Sequence, residues 1–347
     1  MSAPAIATGF TDRGRRARAA RYWGVSAALL IAVIALWWAA VLIGRTWYSP
    51  EEVLRVMMGE RVPGASFSVG RLRLPRATVG LLAGLAFGMA GTTSQTMLRN
   101  QLASPDIIGI TSGASTAAVF SILVLGWSGS AVSILAIAAG LATAAVIYAL
   151  SGSGRTQGAR LILIGIGVSS MLSSLVAYLQ LRAAIYDVPK AMRWLSGSLN
   201  DAAWDQVGIL AIAVGACALI MGIIGRDLPL IALGEETAVG LGVATGRARL
   251  ALVLTMVALA SFATASTGPI AFVSFLAGPL AASLVGRTHR TLLLPAALMG
   301  AIIVLGGDLL GQHAFPTTLP VGVVTGVVGA PYLLLQLLRL NRQGASA

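Results

Sequence analysis

The chain has 347 residues, 57% hydrophobic and only 10% charged, with a mean hydropathy of +0.86. A soluble domain carries about a quarter charged residues, so this composition excludes a soluble fold and predicts an all-α, polytopic membrane protein built as one membrane domain. The net charge of +12, from 24 basic and 12 acidic residues, is spread over short loops between apolar runs. That placement fits topology in a lipid bilayer, and no nucleic-acid partner is expected. The single cysteine, Cys217, lies within an apolar run and allows no intramolecular disulfide.

Residues 1–21 form a polar tail with five arginines, followed by an apolar run over 22–43. About 20 apolar residues suffice to cross a bilayer. The paired arginines resemble a twin-arginine signal, but no small-residue cleavage site follows, so a retained first helix is expected. Further apolar runs lie near 75–97, 107–126, 130–150, 159–181, 206–225, 247–265, 269–285, 291–310 and 319–338, which predicts ten spans. The run at 107–126 is short and glycine-rich, and that at 269–285 contains Pro279. Bent or partly re-entrant helices are expected there, since broken backbone is tolerated where protein shields it. The membrane domain is thus 22–339, with a cytoplasmic excursion at 226–249 and a short tail at 340–347. With the N-terminus cytoplasmic, 15 of the 24 basic residues fall on inner segments. The positive-inside rule favours that orientation and places both termini in the cytoplasm. Five spans per half would make the halves opposite in topology, as in inverted-repeat transporters, although the only echoes between them are Pro-Gly breaks near 105–113 and 268–279.

Chemistry is scarce. Apart from Asp308, near the outer end of the ninth span, the acidic residues fall in tails, loops or helix ends. Proton-coupled carriers usually hold an ionisable relay deep in the bilayer, which argues against proton coupling; sodium coupling through backbone carbonyls stays open. His289 and His313 lie on opposite sides, too far apart for a shared metal site or a nucleophile–base dyad, so no catalytic residues, metal or cofactor are expected. Lys190, the only lysine, follows Pro189, so there is no Gly-Lys-Ser/Thr phosphate cradle. If ATP drives this chain, another polypeptide binds the ATP.

The stretch from Arg71 to Ser115 carries the strongest pattern. Arg71, Arg73 and Arg76 cluster at the outer mouth of the second span, where topology does not require them. They read either as interfacial snorkelling or as a dock for an acidic partner. The spans carry hydroxyls and amides, Thr92, Thr93 and Gln95 in the second and Ser169 and Ser173 in the fifth. These fit interhelical packing, or the weakly polar lining of a translocation pathway. The segment RDLPLIALGEETAVGLGVATGRAR at 226–249 predicts two short helices broken at Gly234 and Gly240, with Glu235 and Glu236 in a first turn that favours acids. It is longer than a connector needs, and reads as a surface helix or as a foot for a motor protein.

These motifs together resemble a known family. RLPR at 73–76, LRNQLASPDIIGITSGAS at 98–115, RLILIGIGVSSML at 160–172, WLSGSL at 194–199, LGEETAVGLGV at 233–243, GPIAFVSFLAGP at 268–279 and LPVGVVTGVVGAPYLLLQLLR at 319–339 occur in order over nearly the whole chain. The chain resembles the FecCD-type permeases of bacterial type II ABC importers for ferric siderophores, haem and vitamin B12, and looks most like the ferric enterobactin (catecholate) branch. The resemblance implies ten spans per subunit and the type II importer permease fold, in the bacterial inner membrane. It implies a second permease subunit, identical or different, two separate ATPase subunits, an extracytoplasmic binding protein and a ferric siderophore as cargo. It assigns Leu233, Gly234, Glu235, Glu236, Thr237, Gly240, Leu241 and Gly242 to ATPase coupling, and Arg73 and Arg76 to salt bridges with the binding protein. Gln312 stands where relatives often carry an arginine, and Gly278-Pro279 replaces their Ala-Pro-His pattern. The expected function is import by alternating access without covalent chemistry in this subunit. A cobalamin or haem permease with the same machinery is the nearest alternative, and a secondary transporter without an ATPase is the alternative in class.

Overall fold

The structure, a computed structural model, describes residues 6–44, 46–106, 109–152, 157–225, 228–233, 235–242, 244–286, 288 and 290–344, all as helix, turn or irregular connection with no strand among them. The order is α1 (Ile6–Leu42), α2 (Pro50–Met57), α3 (Ala65–Phe67), a π-helical turn (Ser68–Arg73), α4 (Leu74–Leu98), α5 (Ile110–Leu123), α6 (Ser130–Ser151), α7 (Gln157–Arg182), α8 (Val188–Leu195), α9 (Trp204–Ile224), α10 (Leu228–Leu233), α11 (Glu235–Gly240), α12 (Thr245–Thr267), α13 (Val273–Val285), α14 (Leu293–His313) and α15 (Val321–Gly344). Among the described residues seven helices are long and apolar enough to cross a membrane: α1, α4, α6, α7, α9, α12 and α14. Three shorter apolar helices, α5, α13 and the stretch Val321–Gln336 of α15, complete the ten expected segments.

The bundle is organised around α4. In its apolar window 78% of the residues are buried, against 67% in α14 and 61% in α12, while α7 has 11% and α1 and α9 have 22%. The sequence explains the difference. Gly84, Gly88 and Gly91 lie along one face of α4, and each sits directly against backbone of α14 or α13. A Cβ at Gly88 would overlap the Ala296 carbonyl, and one at Gly91 the Ser274 carbonyl. Small residues let membrane helices approach backbone to backbone, and dispersion over that contact holds them without a hydrophobic driving force. Phe87, Leu259, Val304 and Leu305 fill the remaining core, each at most 1% exposed.

The expected breaks are present. Arg99 ends α4 in a left-handed conformation, and α5 begins only at Ile110 after Gly109, also left-handed. In the second half, Gly268 and Phe272 both take positive φ before α13 starts. The helices that follow have 14 and 13 residues, about 20 Å of rise, short of a hydrocarbon core of about 30 Å. The halves echo each other in packing: α5 lies on α6, α13 lies on α14, and α4 and α12 pack together at the centre.

Outside the long spans, short amphipathic helices cover the end of the bundle at which α4 begins. α2 starts at a capping box in which the Ser49 hydroxyl accepts from the Glu52 N–H and the Glu52 carboxylate accepts from the Ser49 N–H. Two orphan donors are thereby satisfied. The Trp204 indole donates to the Gly70 carbonyl at 2.8 Å and ties the start of α9 to the π turn.

Candidate functional site

The two outer arginines implied to dock a partner both turn onto their own chain. Arg73 reaches the C-terminal end of α1, donating to the Val41, Leu42 and Thr46 carbonyls at 3.2, 3.0 and 2.7 Å. It also lies over the Tyr48 ring at 5.0 Å. Val41 and Leu42 lie in the last turn of α1, where helix carbonyls lack intrahelical donors, and a cation there also complements the helix dipole. Arg76 forms a bidentate pair with Asp308 of α14, Nε to Oδ2 at 2.8 Å and Nη2 to Oδ1 at 2.7 Å. Its remaining Nη1 donates to Asn200 Oδ1, and Gln312 Nε2 donates to Asp308 Oδ2 at 2.7 Å. The carboxylate is 2% exposed, so it persists ionised only through such charge-assisted bonds. Gln312, the departure from the resembled pattern, thus completes the shell of Asp308. Arg71 is exposed beside them.

Three of the pathway candidates lie inside the bundle. Thr93 is buried and its hydroxyl donates to the Met89 carbonyl at 2.8 Å. Thr92 is buried against Gly278, and its hydroxyl has no partner. Gln95 Nε2 donates to the Phe275 carbonyl at 3.0 Å. That carbonyl would ordinarily accept from the N–H four residues on, where Pro279 has none. Gln95 therefore replaces the hydrogen bond that Pro279 deletes, and a Cβ at Gly278 would overlap its amide oxygen. The Gly278-Pro279 pair and Gln95 are a matched set.

The other two candidates are on α7. Ser169 is half-buried, with its hydroxyl unpartnered against Gly109 of the α4–α5 break. Ser173 is exposed. Around it Ile166, Met171, Leu175, Tyr178 and Leu181 are exposed too, giving α7 a broad uncovered face. Its Ser170 and Ser174 hydroxyls turn back to the carbonyls of Ile166 and Ser170.

At the opposite end of α4 the structure assembles the expected excursion. α10 and α11 form the two short helices; Gly234, Arg226, Asp227 and Val243 lie outside the described residues. Leu233, Glu235 and Glu236 sit on these helices, Thr237 and Gly240 are exposed on α11, and Leu241 and Gly242 are exposed in the turn that follows. Leu228 and Ile231 anchor α10 in the main core. Arg99 Nη2 donates to the Ile231 carbonyl at 3.2 Å, so the residue that caps the central helix grips the excursion. One rigid element of 25 residues, about 37 Å long, thus runs from the outer arginines to the inner segment. The sequence reading missed Arg99, Asn200 and Asp308 as its end fastenings. Arg99 directly after a long apolar helix was the one available signal.

Asp106 lies in the α4–α5 break, outside the membrane-spanning helices. Desolvation raises its carboxyl from 3.8 to about 6, against the lowering effect of hydrogen bonds from Thr111 and Ser104.

Comparison with known proteins matches this architecture. The chain is 34% identical over 328 residues to the ferric enterobactin transport system permease protein FepG of Escherichia coli, covering 92% of this chain and 99% of that protein. It is 37% identical over 318 residues to the achromobactin transport system permease protein CbrC of Dickeya dadantii, covering 91% of each. Among solved structures, a metal-chelate type ABC transporter in an inward-facing conformation superposes with a TM-score of 0.81 at 26% identity, over 91% of this chain and 99% of that one. Residues 30–339 match the model of the FecCD transport family; the chain belongs to that family, as a multi-pass transport permease that is not itself an enzyme.

Proposed function

We propose that this chain is the permease subunit of an ATP-driven importer that carries a ferric siderophore, of the catecholate type, by alternating access. The observation that carries the mechanism is the single helix α4, fastened at its outer end by Arg76 to Asp308 and at its inner end by Arg99 to the Ile231 carbonyl. A rigid rod between two sites transmits displacement, where a flexible one would dissipate it. Relatives named for ferric enterobactin, achromobactin, iron(3+)-hydroxamate and Fe(3+)-citrate transport support a ferric chelate as cargo, and the enterobactin permease supports the catecholate type.

In this reading Arg73 and Arg76, with exposed Arg71 beside them, receive glutamates of an extracytoplasmic binding protein. Arg76 keeps one side partly open to solvent, so a docking carboxylate meets it while Asp308 holds it in place. The segment Leu233–Gly242 receives the ATPase subunit, with Thr237, Gly240, Leu241 and Gly242 on its open surface. The exposed face of α7, including Ser173, borders the pathway and the second permease subunit, and Ser169, Thr92, Thr93 and Gln95 stand behind it. Both termini lie in the cytoplasm.

Purification from membranes with a tagged copy tests the machinery. An ATPase subunit should co-purify, and hydrolysis in proteoliposomes should rise when iron-loaded binding protein is added. A chain that purifies without any ATPase yet restores transport would overturn the reading.

A further inference from the structure

Beside the N-terminal end of the first span is a groove of about 590 Å³ that the transport reading does not use. Its walls are the first turns of the span in α1, the last turns of α9, Pro229 at the start of α10 and the start of α14, with Leu85 and Met89 of α4 as its floor. The lining is mostly apolar, and the flanks of α1 and α9 beside it expose Leu30, Ile31, Leu219, Ile220 and Ile223. The groove therefore opens onto the surface that faces lipid. Among the described residues no side chain fills it at Gly222, on its α9 wall, where an added Cβ would meet nothing within 4 Å.

Among the described lining residues, Arg290 is the charged one. The Arg290 guanidinium lies over the Tyr22 and Trp23 rings, 5.7 and 5.5 Å from their centroids. The two rings meet edge to face at 5.3 Å, and the Tyr22 hydroxyl donates to the Thr291 carbonyl at 3.2 Å. The cation–π contacts hold the guanidinium at the mouth and leave its N–H donors unspent. Arg290 is exposed, and no carboxylate among the described residues pairs with it. Tyrosine and tryptophan at this level mark the headgroup boundary of the bilayer.

We propose that this groove binds an anionic phospholipid, with an acyl chain between α1 and α9 and the headgroup phosphate on Arg290. The chemistry is complementary at both ends. A planar guanidinium with free N–H donors matches a phosphate in a two-point contact, and a basic pocket between membrane helices selects acidic lipids. In a bilayer an open apolar groove is filled by hydrocarbon; the arginine decides which headgroup stays. With the N-terminus cytoplasmic this is a lipid of the inner leaflet. Because its floor is α4 itself, the bound lipid would splint α1, α9 and α14 around the central helix.

The test uses the permease purified from membranes with its co-purifying subunits, delipidated in detergent. It is titrated with phosphatidylglycerol and, separately, with phosphatidylcholine of the same acyl chains. Bound lipid is read by native mass spectrometry and by the unfolding midpoint. Phosphatidylglycerol should remain bound and raise the midpoint, and phosphatidylcholine should do so about tenfold more weakly, the worth of one charge-assisted contact. Arg290→Gln should erase that preference, and Arg290→Lys should keep part of it. Gly222→Leu, which occupies the groove with Arg290 intact, should lower binding of both lipids. Equal binding of the two lipids by the unaltered protein, or full retention of the preference in Arg290→Gln or of binding in Gly222→Leu, would overturn the proposal.

Discussion

Arg76 and Asp308 meet through two parallel hydrogen bonds of 2.8 and 2.7 Å, joining the outer ends of α4 and α14. Breaking such a pair leaves one charge buried and uncompensated, a cost of about 3–5 kcal/mol. Arg76→Gln should therefore lower the unfolding midpoint and the yield of folded permease. Adding Asp308→Asn should recover most of the loss, because no charge is then left alone. The same pair of variants separates fold from docking: the double variant should fold, yet bind the iron-loaded binding protein more weakly. Unchanged docking in a folded double variant would remove Arg76 from the dock and leave Arg71 and Arg73 to be tested by charge reversal.

Gln95 and Pro279 give a cleaner cycle. Gln95→Leu strips the Phe275 carbonyl of its donor and should cost about 1–3 kcal/mol. Pro279→Ala restores a backbone N–H at the position from which α13 lacks one. The double variant should then be more stable than Gln95→Leu alone. Purely additive losses, measured as unfolding midpoints, would contradict the substitution of one hydrogen bond for the other.

Arg99 should matter to coupling more than to folding. Its bond to the Ile231 carbonyl is one partly buried contact, worth about 1.5–3 kcal/mol as a bond from a charged group. Arg99→Gln should leave the amount of membrane-inserted permease near normal while lowering transport per ATP hydrolysed. Equal loss of protein and transport would make Arg99 a folding residue only.

Asp106 predicts a pH signature with a definite sign. Its carboxyl is raised from 3.8 to about 6 by desolvation, so the folded chain holds that proton more tightly than the unfolded chain between those values. The stability it contributes is present at low pH and is lost as pH rises from about 4 to about 6. Asp106→Asn should abolish that fall and be the more stable form at about pH 8. Parallel midpoint–pH profiles for the two proteins would refute the assignment.

Much of this fold was legible in the sequence because bilayer physics leaves few choices. The run 206–225 is apolar on nearly every side, and backbone satisfaction in hydrocarbon makes it a helix. The two broken segments were legible because Pro105-Asp106 and Gly268-Pro269 interrupt otherwise apolar runs. What was not legible was pairing across the bundle. Nothing local to Arg76 says that its partner is 232 residues away. Gln95 read as a pathway amide, because its service to the Phe275 carbonyl depends on α4 and α13 touching at Gly278. Likewise the glycines of α4 announced close packing, but only the structure identifies α13 and α14 as the helices that fit against them.

The central claim is transport of a ferric siderophore, and radiolabelled iron uptake in cells lacking this gene tests it most directly. The panel should include catecholate, hydroxamate and citrate chelates, with labelled cobalamin alongside. The account predicts loss of uptake for the catecholate chelate, restored by the gene and not by an Arg99→Gln copy, with cobalamin uptake intact. Lost cobalamin uptake with every iron chelate still entering would contradict it.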